Sequence, residues 1–81
     1  FAEIVRESLA AKVALPDRGV KRLPLSVLEG ATCPAVLIEV GYLSNDQEAL
    51  ALSTGAVQDA VAEAIAEAVL RMDAVLAARN P

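Results

Sequence analysis

The residue of this sequence that is best placed for chemistry is Glu39, the single charge in the apolar run Pro34–Val40. The run is short, β-branched and bounded by proline and glycine, a pattern typical of a strand that is buried on both faces. An unpaired carboxylate is costly to bury, so Glu39 needs a partner, access to solvent or a part in acid–base chemistry. Gly41 and the turn residues Ser44 and Asn45 end the strand just after Glu39. They place its carboxylate at the carboxyl end of the strand, where open α/β sheets carry their active sites.

The same pattern explains Glu39 equally well as a structural ion-pair partner. Its candidate partners are the cations Arg18, Lys21 and Arg22. Structural ion pairs and active sites both place carboxylates in unusual surroundings, so the pattern alone leaves the two interpretations open.

The segment Pro34-Ala-Val-Leu-Ile-Glu-Val-Gly-Tyr-Leu-Ser-Asn45 resembles the closing motif of the zinc-dependent N-acetylmuramoyl-L-alanine amidases. A Glu within an apolar strand, followed by Gly, an aromatic residue, Leu, Ser and Asn, is an uncommon combination, so this motif is specific. Weaker similarities extend the resemblance over nearly the whole chain, at Ser8–Ala10, Arg18–Lys21 and Val27–Leu28.

This resemblance implies a peptidoglycan hydrolase that works on the cell wall, in the periplasm or outside the cell. Its substrate would be the amide that joins N-acetylmuramic acid to the L-alanine of the stem peptide. In the family a strand-end Glu assists a zinc-bound water, which implies that Glu39 is the catalytic general acid/base. Tyr42 is a candidate for substrate contact, although packing is the commoner role for a tyrosine in such a position.

Zinc is the cofactor that the resemblance implies, yet this chain has no histidine. Catalytic zinc sites usually take three protein ligands and use His in nearly all cases. In the family, two His and a Glu hold the metal, and all three precede the part that is matched here. We therefore expect no metal ligand in this chain, ligands upstream of Phe1, and no activity from the chain by itself.

Two other classes of function remain as alternatives. One is a non-catalytic module that binds cell-wall material and derives from such an amidase. The other is a purely structural α/β domain in which Glu39 is paired internally, within about 4 Å of a guanidinium and sealed from any cleft.

The elements around the motif are predicted to be helices. Apolar residues recur at every fourth position from Phe1 to Val13, which predicts an amphipathic helix that Pro16 ends in a turn. A short helix begins at Ser44 or Asn45, because Gln47 or Glu48 completes a capping box in either register.

The last and longest predicted helix covers Val57 to Leu76, where apolar residues repeat at intervals of three and four. Its polar stripe is interpreted as a solvated face and consists of Asp59, Glu63, Glu67 and Arg71. Between the first helix and the motif, Val20–Leu28 is predicted to form two short extended pieces interrupted by Pro24, followed by a loop over 29–32.

These elements predict an α/β fold of three layers, with helices packed on a mostly parallel or mixed sheet. Residues 1–81 would be the C-terminal portion of that amidase domain. A sheet cut short in this way leaves an unpaired edge. We therefore expect the missing upstream part of the domain, or another chain, to pack against it.

Composition limits the other classes of partner. The 81 residues carry a net charge of −4, which argues against a nucleic-acid backbone as partner, and no apolar run long enough for membrane insertion is present. The single cysteine, Cys33, is interpreted as a small buried residue at the start of the predicted strand.

Overall fold

The computed structural model describes residues 1–21 and 26–79. In that part of the chain it contains three α-helices: α1 (Ala2–Lys12), α2 (Asp46–Leu52) and α3 (Gly55–Arg79). A single turn of 3₁₀-helix at Ser26–Leu28 lies between α1 and α2. The helices predicted from the sequence are therefore confirmed.

The core lies where α1 crosses α3. Ala64 and Ala68 of α3 are completely buried, and Val5 of α1 is 4% exposed. Small side chains at a crossing allow two helix backbones to approach closely. Ser8, also buried, uses this proximity to donate a hydrogen bond from Oγ to the carbonyl of Ala64 at 2.7 Å.

Two ion pairs flank this crossing. Lys12 Nζ lies 3.2 Å from Glu67 Oε2, and Arg71 Nη2 lies 2.9 Å from Glu7 Oε2. Because all four side chains remain partly exposed, each pair contributes about 0–1 kcal/mol. The polar stripe of α3 is thus exposed as predicted, but two of its members also tie α3 to α1.

A turn follows α1 as predicted, but within the described chain it is closed by the Asp17 side chain and not by a backbone hydrogen bond. The Asp17 carboxylate accepts a hydrogen bond from the Gly19 N–H at 2.9 Å, and Gly19 has a φ of +79°, a conformation that favours glycine. Arg6 Nη1 reaches Asp17 Oδ2 at 2.8 Å and so fastens the turn to α1.

The predicted α/β sheet is wrong, because none of residues 1–21 and 26–79 forms a strand. A strand exists only through a ladder of hydrogen bonds with a neighbouring strand. Residues 34–40 find no such neighbour in the described chain, and the segment predicted to be extended nearby includes the 3₁₀ turn at Ser26–Leu28. Residues 22–25 of the predicted extended segment Val20–Leu28 lie outside the described residues. The expected packing of an upstream part of the domain, or of another chain, against this one stays a prediction.

Residues 34–40 nevertheless show alternating burial. Val36, Ile38 and Val40 are half-buried, whereas Leu37 and Glu39 are exposed. The apolar run therefore has one half-buried side and one exposed side. Cys33 is exposed, so its interpretation as a buried residue is wrong. Among the helices described, none is both long and apolar enough to span a bilayer.

Candidate functional site

Glu39 lies on the exposed side of segment 34–40, at the wall of an open groove. The groove has a volume of about 290 Å³ and is bounded by α1, the turn that follows α1, and residues 36–42. Its floor is apolar, with Val5 and Leu9 from α1 and Val40 from the facing segment. The carboxylate of Glu39 has no hydrogen bond or ion pair with any described residue.

The described cations that the sequence suggested as partners of Glu39 do not pair with it. Arg18 pairs with Glu48, and Lys21 makes no ion pair within the described chain. Arg22 lies outside the described residues. The structural interpretation of Glu39 as the partner of Arg18 is therefore wrong.

The Arg18 guanidinium binds the Glu48 carboxylate through two parallel hydrogen bonds. Arg18 Nη1 lies 2.8 Å from Glu48 Oε1, and Nη2 lies 2.9 Å from Oε2. This two-pronged geometry is specific to arginine, since lysine offers a point charge instead of a planar fork. Only 3% of the Glu48 side chain is exposed, whereas Arg18 keeps one face open to solvent.

Tyr42 joins this pair in two ways. The Arg18 guanidinium lies over its ring, 4.4 Å from the centroid, in a cation–π arrangement. The Tyr42 carbonyl also accepts the backbone N–H of Asn45, whose side chain in turn accepts the Glu48 N–H. We call Arg18, Tyr42 and Glu48 the clamp.

The clamp lowers the pKa of Glu48. The hydrogen bonds from Arg18 are the main cause, supported by the positive charge of Arg18 and by the nearby Tyr42 backbone, while burial acts in the opposite direction. Glu48 in turn raises the pKa of Arg18. Both groups are therefore held in their charged forms.

The start of α2 explains why Glu48 faces the clamp. Asn45 is the N-cap, and its side-chain oxygen accepts the Glu48 N–H at 3.0 Å. In a full capping box the Glu side chain would return to the N-cap backbone. Here that carboxylate binds Arg18 instead, and the Asn45 N–H donates to the Tyr42 carbonyl at 3.1 Å. The predicted cap at Asn45 is confirmed.

Gly41 allows segment 34–40 to approach α2. A Cβ at this position would lie 3.1 Å from Leu52 Cδ1 and 3.3 Å from Glu48 Oε1. Since contacts this short force a neighbour to move, a side chain at 41 would press on the carboxylate that Arg18 holds. Glycine is therefore required here for close approach, and its φ is not positive.

Comparison with known proteins decides the family. A sequence profile described as N-acetylmuramoyl-L-alanine amidase matches residues 1–71, which is most of the chain. The chain belongs to the N-acetylmuramoyl-L-alanine amidase family. The resemblance read from segment 34–45 is thus confirmed.

Two curated amidases of Bacillus subtilis (strain 168) are similar to this family member. The N-acetylmuramoyl-L-alanine amidase LytC is 34% identical over 65 residues, which cover 80% of this chain and 13% of that protein. The germination-specific N-acetylmuramoyl-L-alanine amidase is 35% identical over 71 residues, covering 86% of this chain and 30% of that protein. The chain therefore spans less than a third of either relative. No solved structure matches it significantly.

The amidase family is generally zinc-dependent, but the described residues do not fit a zinc site. The sequence has no histidine, and within 1–21 and 26–79 no three residues among His, Cys, Asp and Glu come together as metal ligands. Glu39 stands apart, and Glu48 is committed to Arg18. No step of a mechanism can be assigned to a metal held by these residues.

The clamp is what sequence reasoning missed in this member of the amidase family. From the sequence, Glu48 is interpreted as part of a helix cap, and Arg18 as a possible partner of Glu39 and as part of the resemblance at Arg18–Lys21. The two residues are 30 positions apart, and periodicity and capping rules report only on neighbours in sequence. Nothing in the local pattern joined them.

Proposed function

We propose that this chain is part of a peptidoglycan amidase that hydrolyses the amide between N-acetylmuramic acid and the L-alanine of the stem peptide. Glu39 is its general acid/base. One observation carries the proposal: within the region that matches the family, the Glu39 carboxylate lies at an open groove with no described protein partner. A structural carboxylate would be expected to have such a partner.

Amide hydrolysis needs a nucleophilic water and a proton for the departing amine. The ionised Glu39 carboxylate accepts a proton from the water as the new C–O bond forms. It then delivers that proton to the nitrogen as the C–N bond breaks, which leaves a carboxylic acid and an amine. Positioned acid–base catalysis of this kind contributes a factor of roughly 10² to 10⁴ in rate.

The remaining parts of the proposal concern the whole protein. Zinc is held by residues outside 1–81, since the described residues do not fit it. The protein acts on peptidoglycan in the cell wall, in the periplasm or outside the cell. Residues 1–81 are the C-terminal portion of the catalytic domain and are inactive by themselves.

The test is Glu39→Gln in the full-length protein, because glutamine keeps the shape and removes the ionisable oxygen. Turnover of peptidoglycan should fall by roughly 10² or more while zinc content stays at the wild-type level. Glu63→Gln is the matched control, since Glu63 is exposed on α3 and makes no described ion pair.

Other outcomes identify the alternatives. Full activity of Glu39→Gln would refute the acid/base role. Loss of zinc together with activity would show that Glu39 supports the metal instead. A wild-type protein that binds peptidoglycan and releases no peptide would be the non-catalytic module.

A further inference from the structure

We propose that Arg18 is a positioning residue for the hydrolysis: through the clamp it fixes the Gly41–Tyr42 backbone and thereby the carboxylate of Glu39. The inference rests on the proposed function, since it assigns Arg18 a task only if Glu39 is the acid/base. Arg18 itself touches neither the reacting atoms nor Glu39 among the contacts described.

The first step of the argument is that Glu39 has nothing of its own to hold it. Its side chain is exposed and makes no hydrogen bond to a described residue, and segment 34–40 has no strand neighbour. Its position therefore depends on where the chain is next fastened. That point is Gly41–Tyr42, two and three residues further on.

The second step is that Glu48 fastens this point from three directions. Its carboxylate binds the Arg18 fork, which lies over the Tyr42 ring, and its side chain lies close to Gly41. Its own N–H is capped by Asn45, whose backbone N–H donates to the Tyr42 carbonyl. One buried carboxylate thus joins three parts of the chain: the turn after α1, the end of segment 34–42, and α2.

The third step is that Arg18 is required to keep this carboxylate in place. Without the guanidinium, the Glu48 carboxylate, which is 3% exposed, would lose both hydrogen bonds from Arg18. The Tyr42 ring would lose the cation that lies over it. Such a carboxylate turns towards water, and the Gly41 backbone and the Tyr42 ring lose the groups that they pack against. Arg18 is itself positioned through its neighbour in the chain, Asp17, which Arg6 of α1 binds at 2.8 Å.

The consequence for catalysis follows from the precision that acid–base chemistry demands. A displacement of about 1 Å at a catalytic group costs on the order of 10²-fold in rate. Removing the clamp should therefore slow the chemical step while substrate binding, which depends on other surfaces, continues. The signature is a fall in kcat at nearly constant KM.

The experiment uses the full-length protein with a soluble N-acetylmuramoyl-peptide as substrate. Arg18→Gln should lower kcat by roughly 10- to 100-fold with KM within about twofold. Arg18→Lys keeps the charge but loses the planar fork, so its kcat should lie between those of wild type and Arg18→Gln. Arg71→Gln is the matched control, because it removes an ion pair of 2.9 Å, to Glu7, and neither residue lines the groove. It should leave kcat unchanged.

Thermal midpoint and zinc content are measured on every variant, which separates positioning from folding. The proposal is overturned if kcat of Arg18→Gln equals that of Arg71→Gln, or if KM rises while kcat stays constant. It is also overturned if both Arg18 variants lose activity only in proportion to a loss of folded protein. Should Glu39→Gln remain fully active, the proposed function itself fails, whereas a normal Arg18→Gln beside an inactive Glu39→Gln removes this inference alone.

Discussion

The Oγ of Ser8 donates a 2.7 Å hydrogen bond to the carbonyl of Ala64, 56 residues further along the chain. Both residues are buried, so this bond lies inside the α1–α3 crossing. It joins the first helix, which forms one side of the groove at Glu39, to the long helix that supports it.

Replacing Ser8 by Ala should lower the stability of this crossing by about 0.5–1.5 kcal/mol, the usual net value of one neutral hydrogen bond. The α1 amides of the full-length protein should then exchange with solvent correspondingly faster, as measured by native-state hydrogen exchange. Ser44→Ala is the control, because Ser44 is exposed and makes no hydrogen bond to a described residue. Equal exchange in the two variants would contradict the prediction.

Gly41→Ala and Gly55→Ala should have opposite effects on stability. At 41 the new Cβ meets Leu52 and Glu48 at 3.1 and 3.3 Å, whereas nothing lies within 4 Å of a Cβ at 55. We expect Gly41→Ala to destabilise the protein by roughly 1–3 kcal/mol through overpacking. Gly55→Ala, at the first residue of α3, should stabilise it by about 0.4–1 kcal/mol through the unfolded state. Thermal unfolding of both variants checks the signs, and a shared sign would contradict the geometry.

The pH dependence of stability should report the ion pair between Arg18 and Glu48. Because Arg18 lowers the pKa of Glu48 below its ordinary value of 4.5, the ionised carboxylate stabilises the fold at pH values above 4.5. That contribution is lost as the pH falls through the lowered pKa. Asp17, whose pKa is lowered by the Gly19 N–H and by Arg6, behaves in the same way below its ordinary value of 3.8.

Glu48→Gln isolates the contribution of Glu48. Its deficit in stability relative to wild type should shrink as the pH is lowered from about 6 to about 3, because the wild-type carboxylate is then protonated too. Urea unfolding at a series of pH values measures the deficit. Glu63→Gln is the control, because Glu63 lies on the exposed face of α3. Its stability should differ little from that of wild type at every pH. A deficit for Glu48→Gln that does not change with pH would show that the ion pair is not what stabilises this site.

Local signals predicted the helices well, because each helix carries its own information. The four-residue spacing from Phe1 to Val13 and the cap at Asn45 are properties of neighbouring residues, and α1 and α2 follow them. The sheet prediction was wrong because a strand, unlike a helix, depends on a partner segment elsewhere in the chain. The apolar run Pro34–Val40 has the propensity of a strand, but pairing requires a second segment that the described chain does not place beside it.

The candidate site was predicted in part. The motif around Glu39 led to the right family, and the family profile confirms that assignment over residues 1–71. The catalytic role of Glu39 stays a prediction. The clamp was not predicted, since contact between Arg18 and Glu48 arises only when the turn after α1 is brought to the start of α2.

The geometry of the clamp also has an evolutionary consequence. The Glu48 carboxylate is bound on both oxygens by one guanidinium and is 3% exposed, so loss of Arg18 alone would leave a buried charge without its partner. Substitutions at positions 18 and 48 should therefore occur together among descendants of this gene. A lineage that lost the arginine would be expected to lose the acid as well, and an uncharged pair would have to replace them in nearly simultaneous steps.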